Sequence, residues 1–358
     1  MRVLFASTHG AGHFNPLVPF VDACVAHGHE VLVVGPPSLD PRGYPFREGA
    51  SPPEEILAPL WERIPTLPPA QGEVVVVGRI FARLNVEAML PTVVATIEDW
   101  RPDVVVREPN EYASAIAADR LGVRQVRVAI GLSLVERGGL ALAGPALEER
   151  SAGIVERIGS SPFLTTFPAS FDVGSDGAKR YSDPAASAPA RPLPDWWPGD
   201  DRPLVYLTFG SVAAAFPMAS MLYAAAVDQL AELPVRVLLT LGRDLELGPV
   251  PSNVHVETWV PQADVLGHAD LVVGHGGSGT TLGALAAGVP LVVVPLFADQ
   301  PYNAIQVAGA GAGTVAALDE IGRGVERVLG DERHRLAAER IAAEMRALPP
   351  VERFLADL

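Results

Sequence analysis

The apolar positions of this chain fall into short unbroken runs, separated by longer stretches with helical spacing. In the first half, residues 2–6, 30–34, 103–106 and 125–129 are such runs, rich in valine and only a few residues long, and they read as strands. Residues 16–27, about 75–100 and 111–121 carry their apolar residues at helical intervals, with Pro16 in a first turn where its missing N–H is harmless. The alternation resumes after residue 203, with strands expected at 204–208, 235–240, 254–257, 270–273 and 291–294 and helices at 218–232 and beyond Thr281. Unbroken rather than alternating apolar runs indicate strands covered on both faces, and strand–helix alternation indicates parallel sheets with right-handed crossovers. The pattern therefore predicts two doubly wound α/β domains. Between them SAPARPLPDWWPGDDRP is crowded with Pro, Gly and Asp and continues neither periodicity. This places an N-terminal domain at 1–185, a linker at 186–203, a second domain at 204–340, and a C-terminal helix at 341–358 expected to return to the first domain.

Length and composition agree with two cores. A chain of 358 residues exceeds one ordinary core, and 49% apolar against 19% charged residues excludes a disordered or fibrous chain. The net charge of -15 sets a field that repels nucleic acid and anionic lipid. Cys24 is the only cysteine, which excludes an internal disulfide and a Cys-based metal cluster and leaves a core residue as its reading. The apolar start before His9-Gly10 is too short for a signal peptide, and no apolar run approaches the roughly 18 residues of a membrane span. A cytoplasmic protein without membrane insertion is expected.

Chemistry-bearing residues gather where strands end. The run ending at Val273 leads into Gly274-His275-Gly276-Gly277-Ser278-Gly279-Thr280-Thr281 and then into good helix formers. That order makes a helix N-terminus with bare N–H groups, close approach at glycines and an adjacent histidine, a site for phosphate or diphosphate. His13 follows Gly10-Ala11-Gly12 where the first strand gives way to the first helix, a position that suits a general base. Glu108, just past the strand 103–106, is the partner chosen to fix its tautomer; the plainer alternatives are a helix-end histidine and a surface Glu108–Arg107 pair. Ser211, after Thr208-Phe-Gly210, is either a phosphate donor or a turn residue. Trp259 either stacks on a flat base or packs in a core, and Val260-Pro261-Gln262 fix the backbone beside it. Asp299 and Gln300 offer a carboxylate and an amide suited to sugar hydroxyls, or a helix cap. No metal-ligand spacing is evident, so no cofactor is expected and the protein itself must handle the charge of a leaving diphosphate.

The motifs Gly12-His13-Phe-Asn-Pro16, Thr208-Phe-Gly-Ser211, Trp259-Val-Pro-Gln262, His275-Gly-Gly-Ser-Gly-Thr280 and Asp299-Gln300 resemble, over nearly the full length, the bacterial natural-product glycosyltransferases of family 1. The resemblance implies the GT-B fold, two Rossmann-like domains facing across a cleft. It implies His13 as catalytic base with Glu108 as its acid partner, where the family more often has aspartate. It further implies Trp259 and the Val260 backbone on the base, Gln262 in the same donor site, Ser211, His275, Gly276, Gly277, Ser278, Gly279 and Thr280 on the diphosphate, and Asp299 with Gln300 on the sugar. In the family's UDP-sugar enzymes a glutamate eight residues after the motif histidine commonly binds the ribose, and here that position is Gly283. The expected donor is accordingly a dTDP-sugar rather than a UDP-sugar, and the expected acceptor a small apolar aglycone. The proline-rich segment 36–72, part of the acceptor region in the family, is short here. Rival readings are a sugar-nucleotide epimerase or cell-wall glycosyltransferase, which would need cleft carboxylates or a membrane-facing patch, and an inert nucleotide-sugar-binding auxiliary protein. A homodimer is left open.

Overall fold

The computed structural model describes residues 1–175, 177–184, 189–210 and 219–357. The chain forms two compact units. The first comprises residues 1–166, 174–183 and 349–358, and the second residues 167–173 and 184–348.

In the first unit seven parallel strands lie in the order β3-β2-β1-β4-β5-β6-β7, with β1 Arg2–Ala6, β2 Glu30–Gly35, β3 Phe46–Glu48, β4 Val104–Arg107, β5 Arg124–Val128, β6 Phe163–Thr165 and β7 Lys179–Arg180. Successive side chains of a strand point to opposite faces, so the valine runs feed two cores at once. Val3, Phe5, Val104, Val106, Val126 and Val128 pack with Phe20, Val21 and Cys24 of the helix Val18–Ala26. Leu4, Ala6, Val34 and Val105 pack on the opposite face with Met89, Val93 and Ile97 of the helix Val86–Trp100 and with Ala113 and Ala117 of the helix Tyr112–Leu121. Cys24 is a core residue, as read from sequence, and burial pushes its thiol up to about 11.

The second unit repeats the plan. Six parallel strands lie in the order β10-β9-β8-β11-β12-β13, with β8 Leu204–Thr208, β9 Arg236–Thr240, β10 Val254–Glu257, β11 Leu271–Gly274, β12 Leu291–Val293 and β13 Gly313–Val315. Val205, Leu207, Val237, Leu239, Leu271 and Val273 pack against Tyr223, Ala226 and Leu230 of the helix Ala219–Leu230 and Val325 and Val328 of the helix Ile321–Leu329. Each sheet reverses its winding once, between β1 and β4 and between β8 and β11. Those two reversal points are where open α/β sheets take ligands.

Three details depart from the expectations. Residues 167–173 lie with the second unit, where Phe167 and Phe171 stack at 6.3 Å and the Ser170 amide donates to Glu344. The helix Glu332–Arg346 also stays with the second unit, burying Ala337, Ala338, Ile341 and Ala342, so the return to the first unit begins only at Pro349. The returning piece is a 3-10 turn, Val351–Asp357, that drives Val351, Phe354 and Leu355 into the core beside the helix Val18–Ala26. Finally, contrary to the expectation that no run approaches a membrane span, the continuous helical stretch Pro69–Trp100, 32 residues, is long and apolar enough by length and composition. Its middle section, Val74–Asn85, is wound as a π-helix. Part of the apolar surface of this stretch packs within the protein: Ile80, Phe81, Ala82 and Val86 join Tyr112, Ile116 and Leu147 in one cluster, and Met89, Val93 and Ile97 join the sheet.

The C-terminal turn adds a large aromatic side chain to an otherwise finished core. Phe354→Ala is expected to destabilise the first unit by about 3 kcal/mol, the usual cost of truncating a buried phenylalanine, measured as a lower urea midpoint. An unchanged midpoint would show that the returning turn adds nothing to that core.

Candidate active site

His13 and Glu108 meet at the reversal point of the first sheet. β1 and β4 are neighbours in register, Ala6 opposite Arg107, so the residues just past each strand end emerge side by side. His13 lies in the short helical turn Ala11–Phe14 after β1, and Glu108 is the first residue after β4. His13 Nδ1 stands 3.2 Å from Glu108 Oε1. Phe81 of the long helical stretch packs edge-on against the imidazole at 5.7 Å and fixes its plane from the other side. The carboxylate is fully buried while the imidazole keeps 23% of its side-chain surface exposed, so the pair presents the histidine outward.

Glu108 is held by more than its histidine. Thr8 donates to Oε1 through both its hydroxyl, at 2.8 Å, and its amide, at 3.2 Å, and the Asn110 amide donates to Oε2 at 2.6 Å. Burial alone would raise the carboxyl pKa, but the His13 charge and these donors together outweigh it and hold Glu108 below the ordinary carboxylate value. The turn that carries Glu108 is pinned from beneath by Arg107. This fully buried guanidinium donates to Gln125 Oε1 at 2.9 Å and to the carbonyls of Glu108, Pro109 and Glu111 at 3.1, 3.2 and 3.4 Å. Burial lowers its pKa to about 10, which leaves it charged at neutral pH. The surface Glu108–Arg107 pair is thereby excluded: both side chains are buried, and Arg107 serves the backbone. Glu111 then caps the helix Tyr112–Leu121, accepting from the Ser114 amide at 2.9 Å.

The second sheet places its glycine-rich segment at its own reversal point, with Thr208 opposite Gly274 on the paired strands β8 and β11. β11 runs through His275 and Gly276 into the helix Ser278–Ala287, whose N-cap Gly277 makes no side-chain cap bond. Gly276 has φ +86°, and a Cβ there would lie 2.6 Å from Val293 and 3.2 Å from the Gln300 carbonyl, so only glycine lets the strand turn so tightly into the helix. Burial lowers the His275 pKa to about 4, with the Thr208 backbone only partly opposing it. At neutral pH His275 is an uncharged donor rather than a cation.

Asp299 and Gln300 close onto this turn, although not symmetrically. Ser278 Oγ donates to Asp299 Oδ2 at 2.7 Å. Gln300 is buried, and its Oε1 accepts from the Leu296 and Phe297 amides at 2.8 and 2.9 Å. The carbonyl end of that amide therefore shapes the loop, and only its NH₂ end is available for a ligand. Neither side chain caps the helix Gln300–Gly309. Trp259 is 70% exposed, which excludes core packing and leaves its face available for stacking. Val260 is partly buried, and Gln262 reaches the cradle, its Oε1 accepting from Thr280 Oγ1 at 3.2 Å. Ser211 lies outside the described residues.

Sequence reading missed the residue that ties these parts together. Asn303 is fully buried, and its Nδ2 donates to the Gly276 carbonyl at 2.8 Å, to Asp299 Oδ2 at 2.9 Å and to Ser278 Oγ at 3.2 Å. It stands one turn beyond Asp299 in the same helix, and that spacing was the available signal. Thr8 and Arg107 were missed likewise, as a strand-end threonine and as part of an apparent surface pair.

The depressed Glu108 pKa makes the first site pH-sensitive in a definite direction. Its stabilising contribution is complete above the ordinary value of 4.5 and is lost as pH falls through the lower folded value. Glu108→Gln is expected to cost about 2 kcal/mol near pH 7, the scale of hydrogen bonds to a buried charged group, with the gap to wild type closing below about pH 4.5. Urea unfolding between pH 7 and 3 measures this, and a gap constant across the range would refute it.

Known proteins match both halves of the chain. Residues 71–149 match the family Erythromycin biosynthesis protein CIII-like, N-terminal domain, and residues 224–356 match its C-terminal domain. The L-demethylnoviosyl transferase of Streptomyces niveus is 33% identical over 373 residues, covering 96% of this chain and 94% of that protein. Among solved structures, the glycosyltransferase SnogD from Streptomyces nogalater superposes with a TM-score of 0.81 at 32% identity, covering 100% of this chain and 98% of that one. SsfS6 of Streptomyces sp. SF2575, solved in complex with thymidine diphosphate, gives 0.78 at 26% identity and covers 100% of both chains. The chain belongs to the bacterial natural-product glycosyltransferases of the GT-B fold.

Proposed function

We propose that this glycosyltransferase moves a sugar, with inversion and without a metal, from a dTDP-sugar to a hydroxyl of an apolar natural-product aglycone. The observation that carries the reading is the 3.2 Å approach of His13 Nδ1 to the buried Glu108 carboxylate. With Nδ1 turned to Glu108, Nε2 is the nitrogen offered to substrate. Nε2 takes the acceptor hydroxyl proton as the oxygen bonds the anomeric carbon, and Glu108 stabilises the imidazolium that forms. The bond from that carbon to the diphosphate breaks on the opposite face, and its electron pair leaves with the diphosphate.

The leaving charge would settle on the cradle of the second unit. The N–H groups of Ser278, Gly279 and Thr280 open the helix Ser278–Ala287, and the positive end of its dipole adds to them. His275 would line the turn as an uncharged imidazole, its pKa near 4 and its ring bonded to the Thr208 backbone. Trp259 would take the base, and Asp299 with the NH₂ end of Gln300 would take the sugar. A deoxynucleotide donor is supported by the absence of a side chain at Gly283 and by the thymidine diphosphate bound to the relative SsfS6.

His13→Ala is expected to lower turnover by about 10²- to 10⁴-fold, the typical contribution of a general base, while nucleotide affinity is preserved. A mass-spectrometric assay of dTDP- and UDP-sugars against a panel of aglycones checks this, and wild-type turnover in the variant would rule out His13 as base. No turnover by wild-type protein that binds dTDP would favour the inert auxiliary reading instead. In calorimetric titrations dTDP is expected to bind more tightly than UDP, and the reverse order would sink the donor assignment.

A further inference from the structure

The two oxygens of Glu108 lead to two different residues. Oε1 faces His13 Nδ1 at 3.2 Å, and Oε2 accepts from the Asn110 backbone amide at 2.6 Å. Any residue except proline supplies such an N–H, so this bond does not account for the carboxamide of Asn110. The side chain has one bond among the described residues, from the Tyr112 hydroxyl to Oδ1 at 3.4 Å, longer than the roughly 3.0 Å upper limit usual for a hydroxyl donor. Nδ2 has no partner among the described residues, and the residue is half-buried. What stands beside the carboxamide is bare backbone. A Cβ built at Gly139, in the helix Ser133–Glu148, would lie 3.8 Å from Asn110 Oδ1 and 3.9 Å from Val77 Cγ1, and one built at Gly138 would meet nothing within 4 Å. Val77 lies four residues before Phe81 in the π-helical section, a winding that is uncommon and often marks functional sites, and Phe81 packs edge-on against the His13 ring. The contacts thus close a ring through His13, Glu108, Asn110, Gly139, Val77 and Phe81. Glu108 and Phe81 are its buried members, and the other four are half-buried and form its rim.

We propose that Asn110 is a specificity-determining residue for the acceptor, selecting molecules that carry a second oxygen next to the hydroxyl that reacts. The inference rests on the reading of His13 as base. Both residues are anchored on the oxygens of one carboxylate, so a single small molecule with its hydroxyl at His13 Nε2 reaches both. The rim between them, Val77 and two successive glycines, is apolar and without projecting side chains on the glycine side, which suits the flat face of a ring system. An oxygen on the neighbouring ring carbon then accepts from Asn110 Nδ2, which brings two N–H donors. An acceptor without that oxygen covers the amide and leaves it unmatched, and a polar group desolvated without a partner weakens binding. The acceptor class is therefore a flat hydroxylated ring system with two oxygens on adjacent positions.

The test varies one oxygen on an otherwise fixed ligand. Affinities for 2-naphthol and 2,3-dihydroxynaphthalene, both fluorescent, are measured by fluorescence titration against wild type, Asn110→Leu and Asn110→Ala. Wild type is expected to bind the diol about fivefold more tightly, the scale of one neutral hydrogen bond. In Asn110→Leu, which keeps the size of the side chain and the backbone N–H to Glu108, the ratio of the two affinities should fall to about one, and Asn110→Ala should give the same ratio. The ratio is the informative quantity, because a merely structural effect on the 108–111 turn weakens both ligands alike and leaves it at the wild-type value. A wild-type ratio in folded Asn110→Leu, or equal affinities in wild type, would overturn the role of Asn110 while leaving His13 as base. Failure of folded wild-type protein to bind either naphthol would overturn the flat acceptor rim. Wild-type turnover in His13→Ala would remove the base reading, and this inference with it.

Discussion

A parallel sheet covered on both faces has one place to put polar side chains that must meet a ligand, the edge beyond its carboxyl ends. Everything functional in this chain follows from that constraint. The interiors of β1, β4, β8 and β11 are buried valine, leucine, phenylalanine and alanine, and their polar residues begin where the strands stop. At the first reversal point the strand ends release Thr8 and Glu108, with His13 one short turn further on. At the second they release Thr208 and the segment from His275. One backbone plan has been used twice, with an imidazole–carboxylate pair at the reversal point of one copy and a glycine-rich helix N-terminus at that of the other.

The two sites handle charge by opposite means. The first buries ionised groups. Glu108 and Arg107 are both within the protein, where an unpaired charge is costly, and each is bonded by several partners, Glu108 by the Thr8 and Asn110 donors and Arg107 by Gln125 and backbone carbonyls. Arg107 illustrates the economy of the arrangement: its cation is spent on backbone carbonyls, so it orders the 108–111 turn without neutralising the carboxylate that must face His13. The turn of the second site, residues 275–280, carries no acidic, lysine or arginine side chain. His275 is neutral, and Gln262, Ser278 and Thr280 are uncharged. Backbone N–H groups and a helix dipole supply partial positive charge instead. A full cation would hold a product diphosphate tightly, whereas aligned dipoles stabilise it without adding an ion pair that must be broken on release.

Much of this was legible in the sequence, for a physical reason. Valine runs bounded by glycine and polar residues announce buried parallel strands, so the placement of His13, Glu108 and the 274–281 segment at strand ends was readable from position, while the pairing of His13 with Glu108 was left open against plainer alternatives until the family resemblance was added. Exposure then decided what position left open: Trp259 projects outward, and Glu108 is buried beneath His13 rather than paired at the surface. What escaped were residues whose role lies in a contact with something distant in sequence. Asn303 reads as an ordinary helix residue until Gly276, Ser278 and Asp299 are seen on its amide. Gln300 reads as offering a whole amide until its carbonyl is found closing its own loop, which leaves the NH₂ end free for a ligand. The unit boundaries were misjudged at 167–173 and 341–348 because composition marks a linker but does not say which core a short apolar segment joins.

The Asn303 contacts bear on how the donor site behaves as a whole. Its amide joins Gly276 and Ser278, in the glycine-rich turn, to Asp299, in the loop after β12. Ala298, just before Asp299, adopts φ +56°, a left-handed conformation that costs a non-glycine residue free energy and persists only where surrounding bonds enforce it. The enforcing bonds are visible: Gln300 grips the Leu296 and Phe297 amides before the strained residue, and Ser278 and Asn303 grip Asp299 after it. The loop is therefore held at a definite angle by its own hydrogen bonds, without any ligand. Ordering it at the moment of binding would consume part of the interaction energy, and holding it beforehand leaves that energy for stabilising the transition state.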